Sequence, residues 1–177
     1  AHDLVVVGNM GYAPNVDAVK FIVSSVLPLI WEKRPDCKLL IAGARPSADV
    51  QALAGPKVSV SGWIDDIREA YGAGKLFLAP IFLGAGQQNK ILEAMSSGIP
   101  CVTTRNVNLG IGAEPDKTII LAESAQEFAD QVLLLLENDN KRAALASAAK
   151  SFVQTNFSWA TNVEKIEQLI HPTWNTN

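Results

Sequence analysis

Cysteine is scarce: 177 residues contain only Cys37 and Cys101. One precedes a predicted strand and the other starts one. The pair therefore reads as two free thiols, the first near the surface and the second buried, and not as a disulfide framework or a metal pair. Histidine is equally rare. His2 and His171 sit near the ends, where solvated positions are expected. There is no Cys-x-x-Cys, no His-Glu-x-x-His and no clustered histidine. No uninterrupted apolar run reaches the roughly 18 residues of a membrane span. A net charge of −3 argues against a general nucleic-acid or membrane-surface binder. No signal peptide is visible, because AHDLVVVGN reads straight into a strand. An initiator methionine is also missing, so the chain is expected to be an excised piece.

Apolar residues are plentiful. They make up 48% of the chain, enough to core one domain of this length. Short apolar runs at residues 4–7, 38–42, 58–61, 76–79, 101–104 and 118–121 predict six strands, of the type buried on both faces of a parallel sheet. Helical spacing separates them. Ala18, Phe21, Ile22, Ser25, Val26, Leu29 and Ile30 repeat on one face. Asn15 is expected to cap that helix, and Pro28 to kink or divide it. A weak helix is expected over residues 47–53, and another to about Ala73, capped by Asp65 or Asp66. After the last strand the pattern is helical. Phe128, Val132, Leu135 and Leu136 form one face; Leu145, Ala148, Ala149 and Phe152 a second; Trp159, Val163, Ile166 and Ile170 a third, with Ser158 as its cap. Six alternations predict a doubly wound, Rossmann-like α/β domain over residues 1–170. Residues 171–177 have no period and are expected to be a flexible tail. Ligands should then meet three loops at the carboxyl edge: Gly8 to Pro14, Gly62 to Asp65, and Leu83 to Lys90.

The stretch from Ala79 to Thr104, APIFLGAGQQNKILEAMSSGIPCVTT, carries the most chemistry. Gly84 and Gly86 allow a sharp turn and close backbone approach. A helix then opens near Gln88, and its free amides favour an anion. Lys90 adds a cation at a helix end that does not favour one, so a phosphate partner would explain its placement. Glu93 falls on the same face, and a carboxylate suits the hydroxyl pair of a ribose. Ile91, Leu92 and Met95 read as the buried face. Glycine loops of this kind also occur with no ligand.

GAGQQNKILEAMSSGIPCVTT resembles the donor-binding motif of group-1, family-4-type glycosyltransferases of the GT-B fold. The shared frame is a glycine-rich loop, a lysine, Glu-Ala-Met and Gly-x-Pro. GNMGYAPNVDAVKFIVSSVLPLI, KLLIAGARP, VSVSGWIDDIREAYGAGKLFLAP and FVQTNFSWATNVEKI fall where that family's segments fall, so the resemblance runs from about Leu4 to Ile170. It implies the donor-binding half of a two-domain enzyme that moves a sugar from a UDP-, GDP- or ADP-linked donor to a glycan or lipid-linked glycan, with retention at the anomeric carbon. The implied diphosphate and sugar contacts are Gly8, Asn9, Gly84, Ala85, Gly86, Gln87, Gln88, Asn89 and Lys90. Glu93 would hold the ribose, and Trp63 and Ile64 the base. Lys90 and Glu93 are the residues nearest the chemistry. No cofactor or metal is expected, and no Asp-x-Asp motif is present. The full-length protein is expected in the cytoplasm, with any membrane contact made through the missing N-terminal, acceptor-binding half.

Three departures from the family pattern stand out. The first glutamate of a Glu-x7-Glu pair falls at Ala85. Gln88 and Asn89 occupy a stretch where some relatives carry an arginine. The loop from Gly8 to Pro14 has no lysine or arginine. A non-catalytic nucleotide-sugar-binding module therefore stays open as a second reading, and a nucleotide-sugar epimerase as a third. A dinucleotide-binding oxidoreductase fits less well, because Gly84-x-Gly86-x-x-Asn89 follows the fourth strand and lacks the third glycine. The isolated chain is expected to bind donor weakly and to transfer little or nothing.

Overall fold

The computed structural model describes residues 2–83 and 88–157. Its six strands are β1 (Leu4–Val7), β2 (Leu39–Ala42), β3 (Val58–Gly62), β4 (Leu76–Ala79), β5 (Cys101–Thr103) and β6 (Ile120–Leu121). They form one parallel sheet in the order β3-β2-β1-β4-β5-β6. This is the Rossmann order, with its topological switch where β1 meets β4. Every residue of β1, β2 and β4 is buried, which is why these strands read as unbroken apolar runs. β3 lies at the edge and alternates. Val58 is buried and Val60 half-buried, while Ser59 and Ser61 face water.

Successive strand residues feed two separate cores, as the period of two requires. Leu4, Val6, Leu39, Ile41, Leu76 and Leu78 face one; Val5, Val7, Leu40, Ala42, Phe77 and Ala79 face the other. The first core is covered by helix α1 (Ala13–Phe21), a π-helical segment (Ile22–Val26), α2 (Leu27–Lys33) and α7 (Ala125–Glu137). The second is covered by α4 (Ile67–Gly72), α5 (Asn89–Ser96) and α8 (Asp139–Asn156).

The division expected at Pro28 takes the form of that π segment. Proline has no N–H and its ring crowds the preceding turn. The wider turn, with the Leu27 amide bonded to the Ile22 carbonyl, accommodates it. The whole stretch Ala13–Lys33 is long and apolar enough, by length and composition, to cross a membrane, although charges at Asp17 and Lys20 break its apolar run. Its Val19, Ile22, Val26, Leu27 and Ile30 are buried in the first core.

Asp66 caps α4 as expected, and three further side chains, not expected from sequence, cap other helices in the same way. Ser47, Asp66, Ser124 and Asn138 accept from the first turns of α3 (Ala48–Gln51), α4, α7 and α8. Asn15 is not a cap. Helix α1 starts three residues earlier, with Tyr12 at its N-cap position and Pro14 in its first turn. The inner face of α5 is Ile91, Ala94 and Met95, with Leu92 only partly buried. Cys37, expected near the surface, is 1% exposed in the first core, and burial pushes its thiol up to about 12. The indole of Trp31 donates to its carbonyl (2.9 Å). A further short helix, α6 (Arg105–Leu109), follows β5. Ser158, the third helical face from Trp159 to Ile170, and the tail at 171–177 lie outside the described residues.

Candidate functional site

Glycine stands at the carboxyl end of three adjacent strands: Gly8 after β1, Gly43 after β2 and Gly62 closing β3. Backbone bonds tie the three ends together. Gly8 N–H donates to the Ala42 carbonyl (3.1 Å) and Gly43 N–H to the Gly62 carbonyl (2.9 Å). Gly43 has φ +134, and a Cβ there would lie 1.8 Å from the Gly8 carbonyl oxygen. The next loop residues interlock too, with Met10 N–H donating to the Ala44 carbonyl (2.8 Å). These loops form the floor of a cleft of about 540 Å³, within the size range of small-ligand sites. Its walls are the segment Trp63–Ile67 on one side and Lys90 and Glu93 of α5 on the other.

Helix geometry places Lys90 and Glu93 one above the other on the cleft side, while Ile91, Ala94 and Met95 anchor the opposite side. Each polar side chain has a partner that aims it. The Lys90 ammonium donates to Asn15 Oδ1. The Tyr71 hydroxyl, on α4, donates to Glu93 Oε2 (2.9 Å) and lies 3.3 Å from the Lys90 carbonyl. Burial lowers Lys90 from 10.5 to about 8. Burial and then the Glu93 carboxylate push the Tyr71 phenol well above its ordinary range, so it stays a donor. Tyr71→Phe is expected to keep the fold and cost about 1 kcal/mol in a urea titration, the net worth of one hydrogen bond.

The cleft is mostly acidic. Asp65, Asp66 and Glu93 line it together with the single cation Lys90 among the described lining residues. Each of these carboxylates already has a donor, that of Glu93 being Tyr71. Asp65 accepts from the Trp63 indole (2.9 Å), and Asp66 accepts from Arg68, whose guanidinium holds the carboxyl below its usual range. Trp63 is 72% exposed, so the Asp65 bond fixes an open aromatic face at the rim. Among the described residues no three His, Cys, Asp or Glu side chains converge as a metal site would need.

Of the residues singled out from sequence, Gly8, Asn9, Trp63, Ile64, Lys90 and Glu93 come together around this cleft. Gln88 holds the N-cap position of α5 without a side-chain bond and Asn89 begins the helix, but neither is among the described lining residues. Gly84, Ala85, Gly86 and Gln87 lie outside the described residues. Sequence reasoning missed Gly43 and Ala44, Asn15 and Tyr71. It also missed Arg45, which takes a left-handed conformation (φ +55) and sets its carbonyl against Gly11. A separate cleft of about 430 Å³ lies at the opposite, amino edge of β4 and β5. Its charged groups are paired, Lys75 with Asp3 and Arg142 with Asp139.

Fold and site together define a Rossmann-like α/β domain of the kind seen in GT-B glycosyltransferase structures, with a polar cleft at its switch point. The chain belongs to the glycosyl transferases group 1 family, whose model matches residues 1–138. A protein encoded in the cps region of Klebsiella pneumoniae is 25% identical over 160 residues, which cover 85% of this chain and 41% of that protein. Among solved structures, the C-terminal domain of the group 1 glycosyl transferase LpcC from Francisella tularensis matches with a TM-score of 0.71 and 21% identity, covering 89% of this chain and 87% of the other. HepE from Anabaena, in complex with UDP and glucose, matches with a TM-score of 0.74 and 16% identity, over 94% of this chain and 47% of HepE. The chain thus spans less than half the length of the Klebsiella protein and of HepE.

Proposed function

We propose that this chain is the donor-binding half of a hexosyl-type glycosyltransferase that moves a sugar from a nucleoside-diphosphate sugar to a glycan or lipid-linked acceptor, with retention and without a metal. The observation that carries the reading is the cleft at the switch point, where an ammonium and a carboxylate stand one helical turn apart at the start of α5. Family membership supports it, as does the binding of UDP by HepE, a structural neighbour.

In such a transfer the bond from the anomeric carbon to the diphosphate oxygen breaks, and a bond to the acceptor hydroxyl oxygen forms. The acceptor proton departs, and negative charge collects on the diphosphate. Fixed donors aimed at that charge lower the barrier. Lys90, in the first turn of α5, would take this role. Glu93, held by Tyr71, would accept from the ribose hydroxyls, and Trp63 and Ile64 would face the base. The acceptor site and any general base fall to the remainder of the full-length protein, which we place in the cytoplasm.

Calorimetric titration with UDP, GDP, ADP and their hexose forms tests the reading. One nucleoside diphosphate should bind selectively, and Glu93→Ala should weaken it about tenfold, as the loss of a charge-assisted hydrogen bond does. No binding by any of them at millimolar ligand, in a folded sample, would count against a donor site in this chain.

A further inference from the structure

The side chain of Asn15 lies where neither the helix nor the core explains it. It is the third residue of α1, a helix whose start uses no side-chain cap. It is nonetheless only 6% exposed, one of few buried polar residues among those described. Burying an amide is unfavourable unless its hydrogen bonds are made, and both ends of this one are engaged. Nδ2 donates to the Asn9 carbonyl (2.9 Å), and Oδ1 accepts from the Lys90 ammonium. The amide also lies flush against the end of β1: a Cβ on Gly8 would come within 2.7 Å of Nδ2. One side chain therefore joins α1, the loop after β1, and α5.

We propose that Asn15 is a positioning residue for the anion site, holding the Lys90 ammonium and the loop after β1 in one preassembled arrangement at the cleft. The inference rests on the donor-site reading above and adds to it a residue that does not itself touch the donor. A lysine head on a four-carbon stem samples many rotamers, and fixing it before the ligand arrives removes that loss from binding. The chemistry of the acceptor fits the role. An amide oxygen is neutral, so it can orient the ammonium without cancelling its charge. It takes one of three N–H donors and leaves two for phosphate oxygens. A carboxylate in the same place would orient Lys90 and quench it. Other groups facing this region are Glu93 on the same helix, Tyr71 on α4, and Asp65 and Asp66 across the cleft.

The test pairs two substitutions with two readouts, on the same chain. Asn15→Ala and the isosteric Asn15→Asp are compared with the wild type for UDP affinity by calorimetry, and for the titration midpoint of Lys90 by NMR of labelled lysine. Asn15→Ala should weaken UDP about tenfold and lower the Lys90 midpoint, because the ammonium loses its acceptor. Asn15→Asp should also weaken UDP, yet raise the midpoint by ion pairing. Opposite shifts with a shared loss of affinity are what positioning requires; a purely structural asparagine would move neither midpoint. Unchanged midpoints in folded variants would overturn the proposal, as would UDP affinity unchanged in both variants. Failure of the wild-type chain to bind any of UDP, GDP and ADP would overturn the donor-site reading instead, and the midpoint shifts would still decide whether Asn15 holds Lys90.

Discussion

Gly43→Ala is expected to destabilise the chain by about 3 to 4 kcal/mol, the range of strong backbone strain and its consequences. Two effects add. At φ +134 an alanine is strained whatever space surrounds it. The new Cβ would also lie 1.8 Å from the Gly8 carbonyl oxygen, which is main chain and cannot swing aside as a side chain would. Relief would need β1 and β2 to part at their carboxyl ends, but they are paired along their whole length, Leu4 with Leu39 through Val7 with Ala42. Urea denaturation reads the loss as a lowered midpoint at unchanged slope. Gly55→Ala is the control, since nothing lies within 4 Å of a Cβ there. Wild-type stability in Gly43→Ala would mean that the two loops are not locked together.

Lys90→Ala should weaken binding of the preferred nucleoside diphosphate roughly a hundredfold, the usual loss when one partner of a buried charge pair is truncated. The same residue gives binding a pH signature. Burial lowers its pKa from 10.5 to about 8, so between those values the folded chain holds fewer protons at this site than the unfolded one. Stability contributed by this group therefore rises with pH across that window. Below pH 8 the buried charge costs about 3 kcal/mol. A diphosphate reverses the balance, because it stabilises the ammonium. Binding should accordingly be tightest below pH 8, with proton uptake near the midpoint, and should fall towards tenfold per pH unit above it. Calorimetry from pH 6 to 10 would show this for the wild type and a flatter profile for Lys90→Ala. Equal profiles would remove Lys90 from the site.

Strands β1, β2, β4 and β5 were legible in the sequence because burial on both faces of a parallel sheet turns each into an apolar run. The cleft was legible for a similar reason: Gly8, Trp63, Lys90 and Glu93 each follow a strand at the same sheet edge, so topology alone gathers them. What stayed hidden depends on contacts between distant segments. Asn15 has the residue type of a cap, and its partners Asn9 and Lys90 outcompete the local role. Tyr71 reads as a helix residue, and only the packing of α4 on the second core brings its hydroxyl to Glu93. Cys37 precedes its strand, yet packs within the first core. Helix α6 is five residues long and has no side-chain cap; its first amide is taken by Glu123, 18 positions away. Gly43 looks like any strand-ending glycine until the carbonyl of Gly8 is placed above it.

The sheet order also bears on how the chain can be made. β1 is synthesised before every strand it touches. One edge is closed by β2 soon after, but the other waits for β4, where Leu4 pairs with Leu76 across 72 positions. Until then a central strand made of Leu, Val, Val and Val presents unpaired amides and carbonyls on that side. Open edges of this kind recruit other chains, and pairings distant in sequence are slow to form. Synthesis, rather than heat, is therefore the stage at which this domain is most exposed to aggregation. Variants that delay β4 should lower soluble yield more than they lower the melting point of the chains that do fold.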